Sequence, residues 1–388
     1  MDSLRVRVYN VRFGDAILIS VPDRAPGGGT TLRHILIDVG NVLSGAGGHD
    51  PLFAPVLRDV LKELDGKPLD LYVMTHEHMD HVQGLFYGAQ KLGIEIPTTY
   101  AWLTASAAPD YYDNHPRAKQ RRLGFLEAYD TIASFLAAVP ERETPWIRAL
   151  MLNNNPRSTD DCVSYLRGLA PTTTYVYRGC DLAGTHPFRE AYLEVLGPEE
   201  DTADYYGSLQ PMTLGFHISG VKRPQPRPTV MEPPAGVDAG AFYNLVERRR
   251  QGLGDNLLAI DRAANNTSVV FSLAWRGWKL LFSGDAEIKS WKTMDQQGLL
   301  SPVNLLKVSH HGSHNGTPDE DLLAKLLPLD ADMRVAAVST YPDTYGGVPH
   351  KETLNRLDQR AEVRSVEGLA DGEYMDIVFE DPEEDRLA

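Results

Sequence analysis

Between Thr75 and Gly84 the chain reads Thr-His-Glu-His-Met-Asp-His-Val-Gln-Gly, so three of its twelve histidines and an aspartate fall within six residues. Imidazole nitrogens and a carboxylate at that density make a metal site, suited first to Zn²⁺, with Mn²⁺ or Fe²⁺ also matched by N/O ligands. His76 and His78 stand two apart in an extended segment, share a face, and can bite one ion. Asp80 and His81 fall where the chain turns into a helix and can reach a second ion, about 3.5 to 4 Å from the first in two-metal hydrolases.

Such a cluster needs rigid elements behind it. The apolar run from Leu69 to Met74 reads as a buried strand, and Val82, Leu85 and Phe86 give the spacing of a helix that starts directly after the cluster. Two more apolar strands end in reactive residues: Leu280-Leu281-Phe282 leads into Ser283-Gly284-Asp285-Ala286-Glu287, and Leu305-Leu306-Lys307-Val308 leads into Ser309-His310-His311-Gly312-Ser313-His314. Upstream, His34-Ile35-Leu36-Ile37 delivers Asp38 in the same way. Strand tips followed by tight glycine turns are where a layered α/β protein collects its reactive groups.

The remaining pattern fits that architecture. Residues 4–11 and 16–21 alternate as half-buried strands. Asp50-Pro51 opens a helix with Leu52, Phe53, Val56, Leu57, Val60, Leu61 and Leu64 on one face, and Gly66 stops it. Residues 116–140 read as a helix through Phe125, Leu126, Ile132, Phe135 and Leu136, and the Pro-rich residues 223–234 as a loop. In the second half, two strands join at Arg276-Gly277, Thr317-Pro318-Asp319-Glu320 forms a capping box, residues 334–340 and 373–379 are strands, and a helix follows Pro349. Two β-rich halves with helices outside give an α/β fold, an αββα sandwich. The expectation is one domain over residues 1–388, with a largely helical insertion at about 101–260.

At 388 residues and 42% hydrophobic the chain can bury a full core. No run of 18 apolar residues occurs and the N-terminal residues lack an apolar signal region, so no membrane span or secretory signal is expected. With Cys162 and Cys180 the only cysteines, a disulfide framework is not expected either, and the expected location is cytoplasmic. A net charge of −15 repels a polyanion at long range, although a metal pair attracts phosphate locally. Basic clusters at Lys119-Gln120-Arg121-Arg122, Lys222-Arg223 with Arg227, and Arg248-Arg249-Arg250 are candidate nucleic-acid contacts or solvated faces.

Taken in order, Asp38, the His-x-His-x-Asp-His cluster, Asp285 and the His310/His311 pair resemble the metallo-β-lactamase-like hydrolases. The resemblance is nearest to the branch containing the soluble hydrolase domain of bacterial DNA-uptake competence channels and the choline-phosphate esterases. Its marks are Asn10-Val11-Arg12-Phe13-Gly14-Asp15-Ala16-Ile17-Leu18-Ile19, Asn265-Asn266-Thr267-Ser268-Val269-Val270, Ser-Gly-Asp-Ala-Glu at 283–287, and Lys-Val-Ser-His-His-Gly-Ser at 307–313. It covers residues 4–100 and 260–380, and 100–260 only in fragments such as 193–198.

The resemblance implies two divalent ions held by His76, His78, Asp80, His81, Asp285 and His310, with Asp285 as the bridge. Asp38 would brace the cluster loop, with Ser313 and His314 behind the ligands. Many relatives add a third histidine to the first ion from a Gly-His turn that this chain lacks; Asn265 or Asn266 stands near that place. His186 and His217 are expected to be structural. Asp80 would orient the attacking hydroxide or take its proton, or serve only as a ligand. His311 or His314 would protonate the leaving oxygen, hold a phosphate or brace the site, and His350 is either the acid or a helix-start residue. The implied activity is two-metal hydrolysis of a phosphodiester in nucleic acid or a nucleotide. Carboxylic ester, lactone or thioester hydrolysis uses the same ions, and a non-catalytic protein with a metal-braced partner surface is the third reading.

Overall fold

The computed structural model describes residues 3–42, 50–210, 252–329, 333–341 and 347–381. His217, the clusters at 222–227 and 248–250, the Pro-rich loop and the Tyr345-Gly346 turn before His350 lie outside them.

Strands β1 (Ser3–Tyr9), β2 (Ala16–Arg24) and β3 (Thr30–Val39) form an antiparallel meander. From β3 the pairing turns parallel through β4 (Leu69–Met74), β5 (Thr98–Thr104) and β6 (Thr172–Val176). The second sheet begins with antiparallel β7 (Tyr192–Gly197), β8 (Val270–Trp275) and β9 (Trp278–Phe282). It continues in parallel with β10 (Leu305–Lys307), β11 (Val335–Val338) and β12 (Glu362–Ser365). β13 (Tyr374–Glu380) returns to the first sheet beside β1. The strand orders are β13-β1-β2-β3-β4-β5-β6 and β12-β11-β10-β9-β8-β7.

Helices α1 (Asp50–Leu64), α2 (Met79–Tyr87), α3 (Tyr111–Asn114), α4 (Pro116–Ala138), α5 (Pro145–Asn153) and α6 (Pro156–Arg167) follow strands of the first sheet. α7 (Leu253–Asn265), α8 (Ile288–Gln296), α9 (Glu320–Leu326) and α10 (Lys351–Asp358) belong to the second half. Strand alternation separates the layers. Leu280 and Phe282 face the inter-sheet core with Ile35, Val73 and Trp102, while Leu281 between them faces outward to Trp291 of α8 and Leu323 of α9. Leu36, Tyr72 and Met74 face the opposite outer layer, made by Phe53 and Val56 of α1, Val82 of α2 and Leu166 of α6. The molecule is therefore an αββα sandwich, and each such apolar side chain contributes about 1.5–3 kcal/mol by leaving water.

Three differences from the sequence reading concern local chemistry. The cap of α9 is Asp319, whose carboxylate accepts from Leu322 N, because the Thr317 hydroxyl donates instead to the Ser313 carbonyl. Residues 101–260 hold strands as well as helices: β6 is half-exposed and Thr-rich, so it carries no apolar alternation to read. Helices α5 and α6 went unread, although Asn155 caps α6 by accepting from Arg157 N and Ser158 N, with Pro156 in its first turn. Together α4, α5 and α7 pack through Ile132, Phe135, Ile147, Leu150 and Leu257. This small core brings Asn153, Asn154 and Asp261 to the strand tips.

Candidate metal centre

The C-terminal ends of β3, β4, β9, β10 and β11 deliver Asp38, the 76–81 cluster, Asp285, His310/His311 and Ser339 to one edge. Asp38 ties the first two of these segments together: its carboxylate accepts from Thr75 N at 2.8 Å, Thr75 Oγ1 at 2.6 Å and His81 Nδ1 at 2.7 Å. The loops approach too closely for side chains at their contacts. A Cβ on Gly40 would lie inside the backbone of Asp80 and His81, which explains glycine after Val39. Gly284 sits at φ +51° with Thr75 and Ser268 pressed against it.

Each cluster histidine has one ring nitrogen anchored, and the anchors fix which nitrogen is left for an ion. Thr75 Oγ1 donates to Asp38, so it accepts from His76 Nδ1 at 3.0 Å and frees His76 Nε2. His78 Nε2 donates to Asn154 Oδ1 at 2.9 Å, freeing Nδ1, which lies 3.0 Å from His76 Nε2. His81 Nδ1 is held by Asp38, and His311 Nδ1 donates to the Ser339 carbonyl at 2.9 Å. Their free Nε2 atoms both stand 3.3 Å from Asp285 Oδ2. His311 Nε2 is also 3.3 Å from Asp80 Oδ2, and His81 Nε2 is 3.7 Å from Asp80 Oδ1.

Two buried groups of mutually close ligand atoms adjoin through Asp80: His76, His78 and Asp80, and Asp80, His81, Asp285 and His311. Asp80 Oδ1, both Asp285 oxygens, His81 Nε2 and His311 Nε2 are buried without a hydrogen-bond partner. Orphaned acceptors aimed at a common space are what a divalent cation satisfies, and these groups could hold metal ions. The electrostatics agree. Burial disfavours a charged ring at both positions, yet Asp285, Asp80 and Asp38 raise His81 well above its usual value, and Asp285 with Asp80 pushes His311 up to about 9. Burial likewise works to raise Asp285, but His311 and His81 hold it well below the usual carboxylate range. The pocket draws positive charge.

The remaining expected site residues are placed as follows. His310 belongs to neither group; its Nδ1 lies 3.6 Å from Glu287 and its ring opens on the cleft described below, so the two histidines take the reverse of their expected places. His310 and His311 both adopt left-handed backbone, at φ 49° and 55°. That breaks strand alternation, and His311 turns inward against Phe13 with ring centroids 4.2 Å apart. Asp80, not the expected bridge Asp285, is common to both groups. Asn265 donates to Asp261 at 3.2 Å and Glu287 at 3.0 Å, leaving a buried Oδ1 without a partner. Asn266 joins α7 to α8 by accepting from Ser290 Oγ at 2.7 Å, and Ser313 Oγ accepts from Gly316 N within its own turn. His314 is exposed and meets the His350 ring edge to face at 5.0 Å; His350 Nδ1 and Thr353 Oγ1 are 3.2 Å apart at the start of α10.

His186 packs beside Trp102 and Phe188 and shares no ligand group. His186→Ala is therefore expected to keep wild-type metal content, measured by elemental analysis; loss of an equivalent would make it a ligand after all.

Sequence reasoning missed Thr75, Asn153, Asn154, Asp261 and the buried Lys307–Asp15 pair. Asp80 N donates to Asn153 Oδ1 at 3.1 Å, and Asn154 links His78 to Asp261. The one local signal was Lys307, a lysine inside an apolar strand.

A cleft of about 1140 Å³ opens beside Asp80 and His310. Among the described residues its wall carries Asp204, Asp255, Asp261 and Glu287 against Arg262 and Lys289. In the basic cluster at 119–122, Lys119 pairs with Asp113 at 2.7 Å and Arg122 lies 4.6 Å over the Tyr112 ring, while Arg121 is exposed. No helix of the described residues is long and apolar enough to cross a membrane.

No family model and no curated protein matches the chain. Among solved structures it is similar to a long form RNase Z from yeast, at TM-score 0.36 and 11% identity, over 99% of this chain and 43% of that one. The chain thus spans less than half the length of that nuclease.

Proposed function

We propose that the chain is a metal-dependent hydrolase of metallo-β-lactamase type that cleaves phosphodiesters of nucleotide size. The observation carrying this reading is the convergence of four anchored histidines and two orphaned carboxylates on one buried space. Two divalent ions there would acidify a water toward neutrality and offset charge building on the attacked phosphoryl oxygen. Asp80, common to both ligand groups, would help hold both ions and orient the water between them. His310, which lines the cleft beside Glu287, would give a proton to the leaving oxygen. Asn153 and Asn154 keep the Asp80 backbone and the His78 ring in register.

Nucleotide size follows from the wall of the cleft. A long polyanion would meet Asp204 and Asp255, and two cations of the described basic cluster, Lys119 and Arg122, are paired with Asp113 and Asp160. Hydrolysis of bis(4-nitrophenyl) phosphate against 4-nitrophenyl acetate and a lactone tests the reaction class. Diester cleavage that a chelator abolishes and Zn²⁺ or Mn²⁺ restores is expected; turnover of the acetate or lactone alone would shift the reading to acyl hydrolysis. KM for the small diester should be nearly independent of salt between 50 and 200 mM, where contacts to six or more phosphates would cost about 10³-fold in affinity. A steep salt dependence on oligonucleotides, removed by Lys222→Glu with Arg223→Glu, would restore nucleic acid as the substrate.

A further inference from the structure

We propose that Lys307 and Asp15 form a buried positioning brace that aims the Asp285 carboxylate at the second ion position, the one bounded by His81 and His311. The proposal rests on the two-ion reading above and adds a lysine that no ligand group contains.

Lys307 ends β10 inside the apolar layer, with its side chain 2% exposed. An ammonium there needs partners, and it has three. It is ion-paired with the Asp15 carboxylate, donates to the Gly284 carbonyl at 3.2 Å, and lies 3.7 Å from Asp285 Oδ1. The charge thus stands behind Asp285 on its Oδ1 side, while Oδ2 faces His81 and His311 at 3.3 Å each. A carboxylate is free to turn about its last bond, and a fixed cation on one oxygen sets which oxygen is presented forward.

Asp15 anchors the brace to the other half of the molecule. Its backbone N–H donates to the Asp80 carbonyl at 3.0 Å and its carbonyl accepts from Gly40 N at 3.0 Å. Its carboxylate also accepts from Ser339 Oγ and lies 3.8 Å from His311 Nδ1. One residue therefore touches the backbone of Asp80, the turn carrying His311 and the lysine behind Asp285. Asp15, Asp38 and His81 also place ligand atoms close to one another, a third grouping that would suit an ion by composition. The lysine ammonium beside Asp15 supplies the positive charge at that place.

The test is metal titration of the full chain with Zn²⁺ against a chromophoric chelator, on wild type, Lys307→Met and Asp15→Asn, with circular dichroism to verify folding. Methionine keeps the unbranched apolar stem of the lysine without its ammonium, and asparagine keeps the shape and backbone bonds of Asp15. The expected result is selective: the second equivalent binds about 10- to 100-fold more weakly, on the scale of other ligand-orienting partners, while the first is unchanged. A merely structural role would weaken both equivalents in parallel, and that result, or wild-type affinity for both, overturns the brace. Should Lys307→Met not fold, Asp15→Asn carries the same test with the same outcomes. If wild type binds no Zn²⁺ the two-ion reading itself fails and the brace falls with it; two equivalents in wild type with unaltered variants would overturn the brace alone.

Discussion

Asp80→Ala is expected to lower diester turnover by more than about 10²-fold, beyond the 10- to 100-fold that even partners of metal ligands reach. Asp80 is the one residue common to both ligand groups, with Oδ2 at 3.3 Å from His311 Nε2 and Oδ1 at 3.7 Å from His81 Nε2. Truncation therefore removes a carboxylate from two ion positions at once. It also leaves His81 and His311 facing one carboxylate fewer, which weakens the pull on any cation. The fold should survive, since the Asp80 backbone bonds to Asn153 and Asp15 do not depend on its side chain. Steady-state kinetics with thermal melts on the same preparation separate the two effects. Turnover within a few-fold of wild type would remove Asp80 from the mechanism.

Asp285→Asn should be comparably damaging for a different reason. Both Asp285 oxygens are buried without a hydrogen-bond partner, and with Lys307 on the Oδ1 side the carboxylate presents its charge through Oδ2 to the space between His81 and His311. The amide keeps the size and removes that charge, and its NH₂ would point a donor at a cation or at two imidazole nitrogens. A loss of at least about 10²-fold is expected, exceeding that of His186→Ala, which touches neither group. An Asp285→Asn variant as active as His186→Ala would show that this carboxylate does not serve the reaction.

The parts of the site that were legible in the sequence are those written on one short segment. His76, His78, Asp80 and His81 are close in sequence and land together, and Asp38, Asp285 and the His310/His311 pair follow apolar runs that become parallel strands with a common edge. What could not be read depends on backbone exceptions and on distant elements. Which of His310 and His311 turns inward is decided by two consecutive left-handed residues, and strand periodicity gives no warning of that. Asn153, Asn154 and Asp261 reach the site only because α4, α5 and α7 pack on one another, and no local pattern announces which helix face will cover a strand tip. The sandwich itself was readable because inward and outward apolar residues alternate along β3, β4 and β9. The half-exposed edge strand β6 was not, since threonines without alternation read equally well as loop.

The most direct measurement is the metal content of the wild-type chain after reconstitution and gel filtration, by elemental analysis, beside Asp80→Ala treated identically. About two equivalents of Zn²⁺ or Mn²⁺ per wild-type chain, and less than one in Asp80→Ala, is the expected result for two ligand groups that share this carboxylate. Wild-type protein that retains no divalent metal, or an Asp80→Ala variant that keeps both equivalents, would contradict it.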